Sequence, residues 1–112
     1  MRLLMPLIVA GLLSGLGSAQ ATTYWFTCKT SQVEYQLTLD DEAGTMVSVL
    51  GKAETQHVFR SLRKENGAIT ASGFVAGRGT DFTFTYRYDA TISYSYGNGG
   101  KRVDTCKLVS QR

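Results

Sequence analysis

The stretch ITASGFVAGRGTDFTF, residues 69–84, contains two alternating runs joined by a short glycine-rich break. Up to residue 75 the residues alternate as they do in a half-buried strand. The segment AGRGT, residues 76–80, interrupts this pattern, and an aromatic run with Phe82 and Phe84 on one face follows. The stretch therefore predicts two strands and a turn. Within it, Gly73 indicates a bulge or bend, and Ser72 beside it is a candidate contact with another molecule.

The same pattern extends in both directions from this hairpin. Alternating runs of strand length are separated by short polar turns, most of which contain glycine, and Asn66-Gly67 is the strongest of these hairpin signals. Such short turns connect neighbouring strands, and closing a small meander removes its exposed edges. We therefore predict an all-β fold, a small antiparallel eight-stranded meander that closes into a barrel. The interior of such a barrel is just wide enough for side chains, so no large cavity is expected.

The N-terminal segment has the order of a secretory signal peptide. A basic residue, Arg2, precedes an apolar run over residues 3–13, and Ala19-Gln20-Ala21 fits a small-x-small cleavage site. We predict a cleaved signal peptide at residues 1–21 and a single β-barrel domain at residues 22–112. The apolar run is short for a membrane span, so no membrane anchor is expected after cleavage. The predicted location is periplasmic or secreted.

Two cysteines, Cys28 and Cys106, lie near opposite ends of the predicted domain. In a small exported chain, two cysteines most simply form one disulfide. This bond would link the first and last strands and close a loop of about 78 residues. By lowering the conformational entropy of the unfolded chain, such a loop would stabilise the folded protein by about 4 kcal/mol. Two cysteines and one histidine form no recognisable ligand set, so neither a metal nor another cofactor is expected.

The charge and the polar residues argue against several function classes. The formal net charge is +3 with the basic residues scattered along the chain, so nucleic acid is not an expected partner. No serine lies in a nucleophile-elbow pattern. His57, the single histidine, is expected to be a surface strand residue. We therefore predict that the protein is not an enzyme. We also expect it to be a monomer or a homodimer.

Several segments in the second half resemble one known family. These are the Ala71-Ser72-Gly73 segment, the aromatic strand after residue 81, the ATI run at residues 90–92, and the terminal CKL run at residues 106–108. In this order they resemble the periplasmic inhibitors of c-type lysozyme, the MliC/PliC family, whose members are small exported β-barrels with a cysteine near each end.

This resemblance implies how the chain would act. Family members insert a serine-containing loop and a basic side chain into the active-site cleft of the lysozyme, where these groups meet its catalytic carboxylates. Ser72 and Gly73 match the serine position, and Arg87 matches the basic position if one residue is gapped. A hydroxyl can hydrogen-bond one carboxyl group while a guanidinium pairs with the other. The implied partner is c-type lysozyme.

A second reading of the same residues is an exported, non-catalytic β-domain that binds another protein or a glycan. Such a domain would be adhesin-like, an immunity protein or envelope-associated. Tyr94 and Tyr96, which precede the turn at residues 97–100, are its surface candidates, together with Arg78 in the AGRGT turn.

Overall fold

A computed structural model describes residues 22–112, so the predicted signal peptide lies outside the described residues. The described chain forms eight β-strands. They are β1 (Thr23–Lys29), β2 (Glu34–Asp40), β3 (Thr45–Leu50), β4 (Ala53–Glu65), β5 (Ala68–Val75), β6 (Thr80–Tyr86), β7 (Ala90–Tyr96) and β8 (Lys101–Gln111).

Each strand pairs antiparallel with the next strand along the chain, and β8 pairs with β1 to close a barrel. Alternate residues point inward because side chains of a strand alternate between its faces. In β6 the burial pattern alternates strictly, so Phe82 and Phe84 lie inside while Asp81 and Thr83 lie outside. The predicted all-β antiparallel barrel of eight strands is therefore confirmed.

The disulfide joins the two strands that close the barrel. Cys28 of β1 lies directly opposite Cys106 of β8 in the register, and their Sγ atoms are 2.04 Å apart. Cys28 is completely buried. The predicted Cys28–Cys106 bond is confirmed, and it links strands near the two ends of the described chain.

The hairpin between β4 and β5 has the turn geometry that its sequence predicts. Asn66 and Gly67 both adopt positive φ, at 52° and 81°. A two-residue turn with positive φ at both positions matches the right-handed twist of the paired strands. The register runs without a shift from this turn to the pair formed by Ser61 and Ser72.

The irregularity predicted at Gly73 lies on the opposite strand. The register between β4 and β5 shifts between Phe59 and Ser61, so the extra residue, Arg60, belongs to β4. Gly73 faces the interior opposite this bulge, and a Cβ atom built on it would lie 1.8 Å from the carbonyl oxygen of Val58. Gly73 therefore allows the bulged backbone of β4 to approach β5 closely, while β5 itself continues as a regular strand.

The barrel has two distinct ends. The turns after β1, β3, β5 and β7 meet at one end, here called the open end. The turns after β2, β4 and β6 meet at the other end together with Thr23 and Arg112, whose backbones exchange two hydrogen bonds. This second end is called the terminal end.

Candidate functional site

A cavity of about 260 Å³ lies at the open end of the barrel. Side chains from several strands and turns line it. The ones that define its chemistry are Tyr35, His57, Arg78, Tyr94, Tyr96 and Arg102. The expectation of an interior wide enough only for side chains is therefore wrong at this end, where the inward positions carry polar groups instead of a continuous apolar filling.

The centre of the polar cluster is Asp104, an inward-facing and completely buried residue of β8. The Tyr35 hydroxyl donates a hydrogen bond of 2.5 Å to its Oδ2 atom. Arg102 donates from Nε to Oδ1 at 2.9 Å and from Nη2 to Oδ2 at 2.8 Å. A buried carboxylate requires such compensation, and the arginine fork supplies both the opposite charge and two hydrogen bonds.

His57 forms a second part of the cluster. Its Nδ1 lies 3.3 Å from the carbonyl oxygen of Thr55, and its Nε2 lies 3.0 Å from the Tyr94 hydroxyl. Because a carbonyl oxygen only accepts, Nδ1 carries the proton of the neutral ring and Nε2 accepts from Tyr94. The ring also packs edge-on against Phe82, with their centroids 5.1 Å apart.

The environment keeps these groups in one protonation state around neutral pH. The pKa of His57 is lowered to about 4, chiefly by burial, with the hydrogen bond to Thr55 opposing this shift and the nearby charge of Arg78 adding to it. Burial, followed by the hydrogen bond to Asp104, raises the pKa of Tyr35, and burial raises that of Tyr94 to about 12. Burial opposes the charge of Arg102, but its hydrogen bonds to Asp104 outweigh this effect and raise its pKa.

Arg78 differs from Arg102 in having no carboxylate partner. Among residues 22–112, no carboxylate oxygen lies within 4.0 Å of its guanidinium. Its side chain lies on the exposed turn after β5 and lines the cavity. The charge of Arg102 is balanced by Asp104, so the cavity carries one uncompensated positive charge, which belongs to Arg78.

The rim of the cavity is partly apolar. Val33, in the turn before β2, is 43% exposed, and Leu50, at the end of β3, is 49% exposed. Both residues line the cavity, as does the partly buried ring of Tyr96. Exposed apolar groups around a polar centre are a surface that a binding partner can cover.

Three of the sequence candidates meet at this end. Arg78, Tyr94 and Tyr96 all line the cavity, although they come from a turn and from β7. Tyr94 is buried, so its hydroxyl belongs to the internal cluster, and Tyr96 is the more accessible of the two tyrosines.

The other three candidates lie elsewhere. Ser72 is in the middle of β5, between Ser61 of β4 and Thr83 of β6, and its side chain is on the outer wall of the barrel rather than in a loop. Gly73 faces inward at the β4 bulge. Arg87 lies in the turn after β6, at the terminal end. It follows Thr83, the partner of Ser72, by four positions, which corresponds to roughly 13 Å along a strand. The structure does not bring Ser72 and Arg87 together.

Arg87 borders a separate, shallow pocket of about 190 Å³ at the terminal end, beside Arg63, Glu65 and Asn66. Its guanidinium lies 5.4 Å from the ring centre of Tyr88. This pocket lacks the buried polar floor of the open-end cavity.

Four residues of the open-end cluster were missed as site candidates: Tyr35, His57, Arg102 and Asp104. The prediction of His57 as a surface residue is wrong, because it is 1% exposed. The sequence signal for Asp104 was its position on the inward face of β8. It shares that face with Cys106 and Leu108, which both pack toward the core. His57 likewise lies on the same face of β4 as Phe59, which packs against the core.

No three His, Cys, Asp or Glu side chains of residues 22–112 lie close enough to hold a metal ion. The same residues contain no helix with the length and apolar character needed to cross a membrane.

No protein-family model, curated protein or solved structure matches the chain.

Proposed function

We propose that this chain is an exported, non-catalytic binding protein that recognises its target through the open end of the barrel. The observation that carries the proposal is the convergence of Arg78, Tyr96 and Arg102 around a cavity of about 260 Å³ with a buried polar floor. Filling these inward positions with apolar side chains is the simpler way to stabilise a small barrel. The polar cluster therefore supports a role in recognition.

The protonation states favour binding over proton transfer. An efficient general acid or base has a pKa near the working pH. In the cluster, the pKa of His57 is about 4 and that of Tyr94 is about 12. The neutral imidazole and the neutral phenols are suited to holding fixed hydrogen bonds around a bound group.

The disulfide and the small barrel are compatible with an exported protein, because disulfides persist in oxidising compartments. We propose the periplasm or the extracellular space as the place where the protein acts. A partner bound there would cover the apolar rim formed by Val33 and Leu50 and would place a polar group against Arg78.

Lysozyme of the c-type is the specific partner that we propose, because of the resemblance described for residues 71–73, 90–92 and 106–108. A basic side chain of the barrel would pair with a catalytic carboxylate of the enzyme in its cleft. Two positions can supply that charge, Arg87 at the terminal end and Arg78 at the open end. The open end favours Arg78, because that end also has an apolar rim and the central cavity.

A lysis assay separates these possibilities. Oxidised protein comprising residues 22–112 would be added to c-type lysozyme digesting bacterial cell walls, and four variants would be compared: Arg78→Ala and Tyr96→Ala at the open end, and Ser72→Ala and Arg87→Ala as matched controls elsewhere. We expect inhibition by the wild-type protein and its loss in the open-end pair alone.

Each other outcome has a defined meaning. Undiminished lysis at micromolar wild-type protein rejects lysozyme as the partner. Loss of inhibition only in the Ser72→Ala and Arg87→Ala variants rejects the open end as the binding surface and assigns it to the wall and terminal end.

A further inference from the structure

We propose that the open-end cavity binds a small, singly charged carboxylate that carries hydroxyl groups, such as a sugar acid or a hydroxy acid. This inference rests on the proposed use of the open end as the binding site and specifies the chemical class of the group that enters it. The uncompensated charge of Arg78, the volume of the cavity and the groups that line it favour this class of ligand.

The charge of the cavity selects an anion. Both hydrogen-bonded oxygens of Asp104 face Arg102 and Tyr35, so the negative charge of this residue is already compensated. Arg78 retains its full donor set and has no carboxylate partner among the described residues. A guanidinium presents a planar fork that matches the two oxygens of a carboxylate.

The charges in the cavity lining also favour a ligand with one negative charge over a ligand with two. Arg78 is the only uncompensated charge in the cavity lining, because the other charged residue there, Arg102, is paired with Asp104. A phosphate monoester carries about −1.5 to −2 charges at neutral pH. Its second negative charge would have no cationic partner in the lining, so a carboxylate is the better match.

Hydroxyl groups and one aromatic ring complete the lining. Ser48, Thr55 and Thr80 are hydroxyl-bearing residues of the cavity lining. Hydroxyl groups both donate and accept hydrogen bonds, so they suit a polyhydroxylated ligand. The ring of Tyr96 is partly exposed at the mouth and offers a flat apolar face to a sugar ring.

The volume limits the ligand to one ring or a short chain. Sites for drug-sized molecules start at about 300 Å³, and this cavity measures about 260 Å³. A single hexuronic acid, or the terminal acidic sugar of a longer chain that projects out through the mouth, is within this limit.

The test is a titration of the oxidised protein with D-glucuronate, followed by the chemical shifts of its backbone amides. D-Glucose serves as the neutral ligand control and inorganic phosphate as the dianion control. Three variants are compared: Arg78→Gln removes the charge, Arg78→Lys retains it, and Arg87→Gln removes an equivalent charge at the terminal end. Preserved amide spectra of the free variants show that each one is folded.

We expect D-glucuronate to bind at least about tenfold more tightly than D-glucose or phosphate. Arg78→Gln should weaken D-glucuronate binding at least about tenfold, while Arg78→Lys weakens it less and Arg87→Gln leaves it unchanged. Equal affinity for D-glucose, equal loss in the two glutamine variants, or no saturable shift at concentrations on the order of 10 mM overturns the inference.

Failure here is distinguishable from failure of the proposed function. If D-glucuronate does not bind but Arg78→Ala and Tyr96→Ala abolish recognition of the protein target, the open end is a protein-binding surface and the carboxylate inference is wrong. If D-glucuronate binds but these variants leave target recognition intact, the small-ligand site stands and the protein-target role of the open end is wrong.

Discussion

At the scale of single residues, Gly73 is the position where one added carbon atom has the largest predicted effect. A Cβ atom there would lie 1.8 Å from the Val58 carbonyl oxygen and 3.0 Å from the Arg60 backbone nitrogen. Backbone atoms of a paired strand cannot move away without breaking the register. We expect Gly73→Ala to lower the free energy of unfolding by about 3 kcal/mol, as overpacking does, measured by urea denaturation.

Gly79 provides the matched control for this substitution. A Cβ atom on Gly79 would meet no atom within 4 Å, and its φ is not positive. Gly79→Ala should change stability by no more than about 0.5 kcal/mol. Equal destabilisation by both substitutions would show that the close approach at the β4 bulge is not what requires Gly73.

His57 makes the stability depend on pH in a defined window. Its pKa is about 4 in the folded protein against an ordinary value of 6.5. As the pH falls below 6.5, the unfolded chain binds the proton first, so stability is lost between these two values. At about pH 5 the loss relative to neutral pH is about 2 kcal/mol from this residue.

Comparison with a non-titrating side chain isolates this effect from the carboxylates. The His57→Gln variant loses the titration while keeping hydrogen-bonding atoms. Urea denaturation at about pH 7.5 and about pH 5 should therefore show a smaller pH-dependent loss for the variant, by about 2 kcal/mol. An identical loss in both proteins would mean that His57 is accessible to protons in the folded state.

At the scale of strands, Tyr35 and Asp104 connect elements that are not neighbours in the sheet. Tyr35 belongs to β2 and Asp104 to β8, with β1 between them, so their hydrogen bond crosses the barrel interior. Tyr35→Phe removes the hydroxyl and leaves the buried carboxylate with one partner fewer. We expect a loss of about 1–3 kcal/mol in unfolding free energy.

Tyr86→Phe is the control for this loss, because the partly buried Tyr86 packs on Phe26 and its hydroxyl makes no hydrogen bond to the described residues. It should cost less than about 0.5 kcal/mol. A cost for Tyr35→Phe no larger than that of the control would contradict the role of the hydrogen bond between β2 and β8.

The strand pattern was predictable from local sequence, whereas the site was not. Alternation and positive-φ turn residues such as Asn66-Gly67 are local signals, so they predicted the strands and their antiparallel order. The bulge depends on an interaction between two strands, and the sequence near Gly73 indicated only that something irregular occurs there. It did not indicate that the extra residue is Arg60 in β4.

The polar cluster is formed by inward-facing residues of four separate strands. Tyr35, His57, Tyr94 and Asp104 come together only after the barrel closes. The sequence analysis placed His57 on the surface and did not select Asp104, a residue type that is mostly exposed in folded proteins. Arg78 and Tyr96 were found because exposed turns and strand ends are favourable positions for binding residues.

At the scale of the whole molecule, the disulfide and the strand pairing close the barrel together. Cys28 and Cys106 are separated by 78 positions. Closing such a loop lowers the entropy of the unfolded chain and stabilises the folded protein by about 4 kcal/mol. This is a large fraction of the ~5–15 kcal/mol free energy of unfolding of a typical domain. We expect the Cys28→Ala/Cys106→Ala double variant to lose about 2–5 kcal/mol in unfolding free energy. Unchanged stability in the variant would show that β1–β8 pairing alone closes the barrel.

The open end is the part of the molecule where an uncompensated charge, a cavity and an apolar rim coincide. His57 is the only histidine of the chain and forms part of the cavity floor. Its ring Hε1 proton therefore gives one resolved nuclear magnetic resonance signal that reports directly on the cavity, provided that the protein carries no histidine tag.

The most direct measurement follows this ring signal in residues 22–112 at neutral pH while D-glucuronate is added. The predicted result is a saturable shift of the His57 ring, with the amides of Arg78 and Tyr96 moving over the same concentration range and those of Ser72 and Arg87 remaining still. A His57 signal that stays unchanged while the amides of Ser72 or Arg87 move would contradict recognition through the open end.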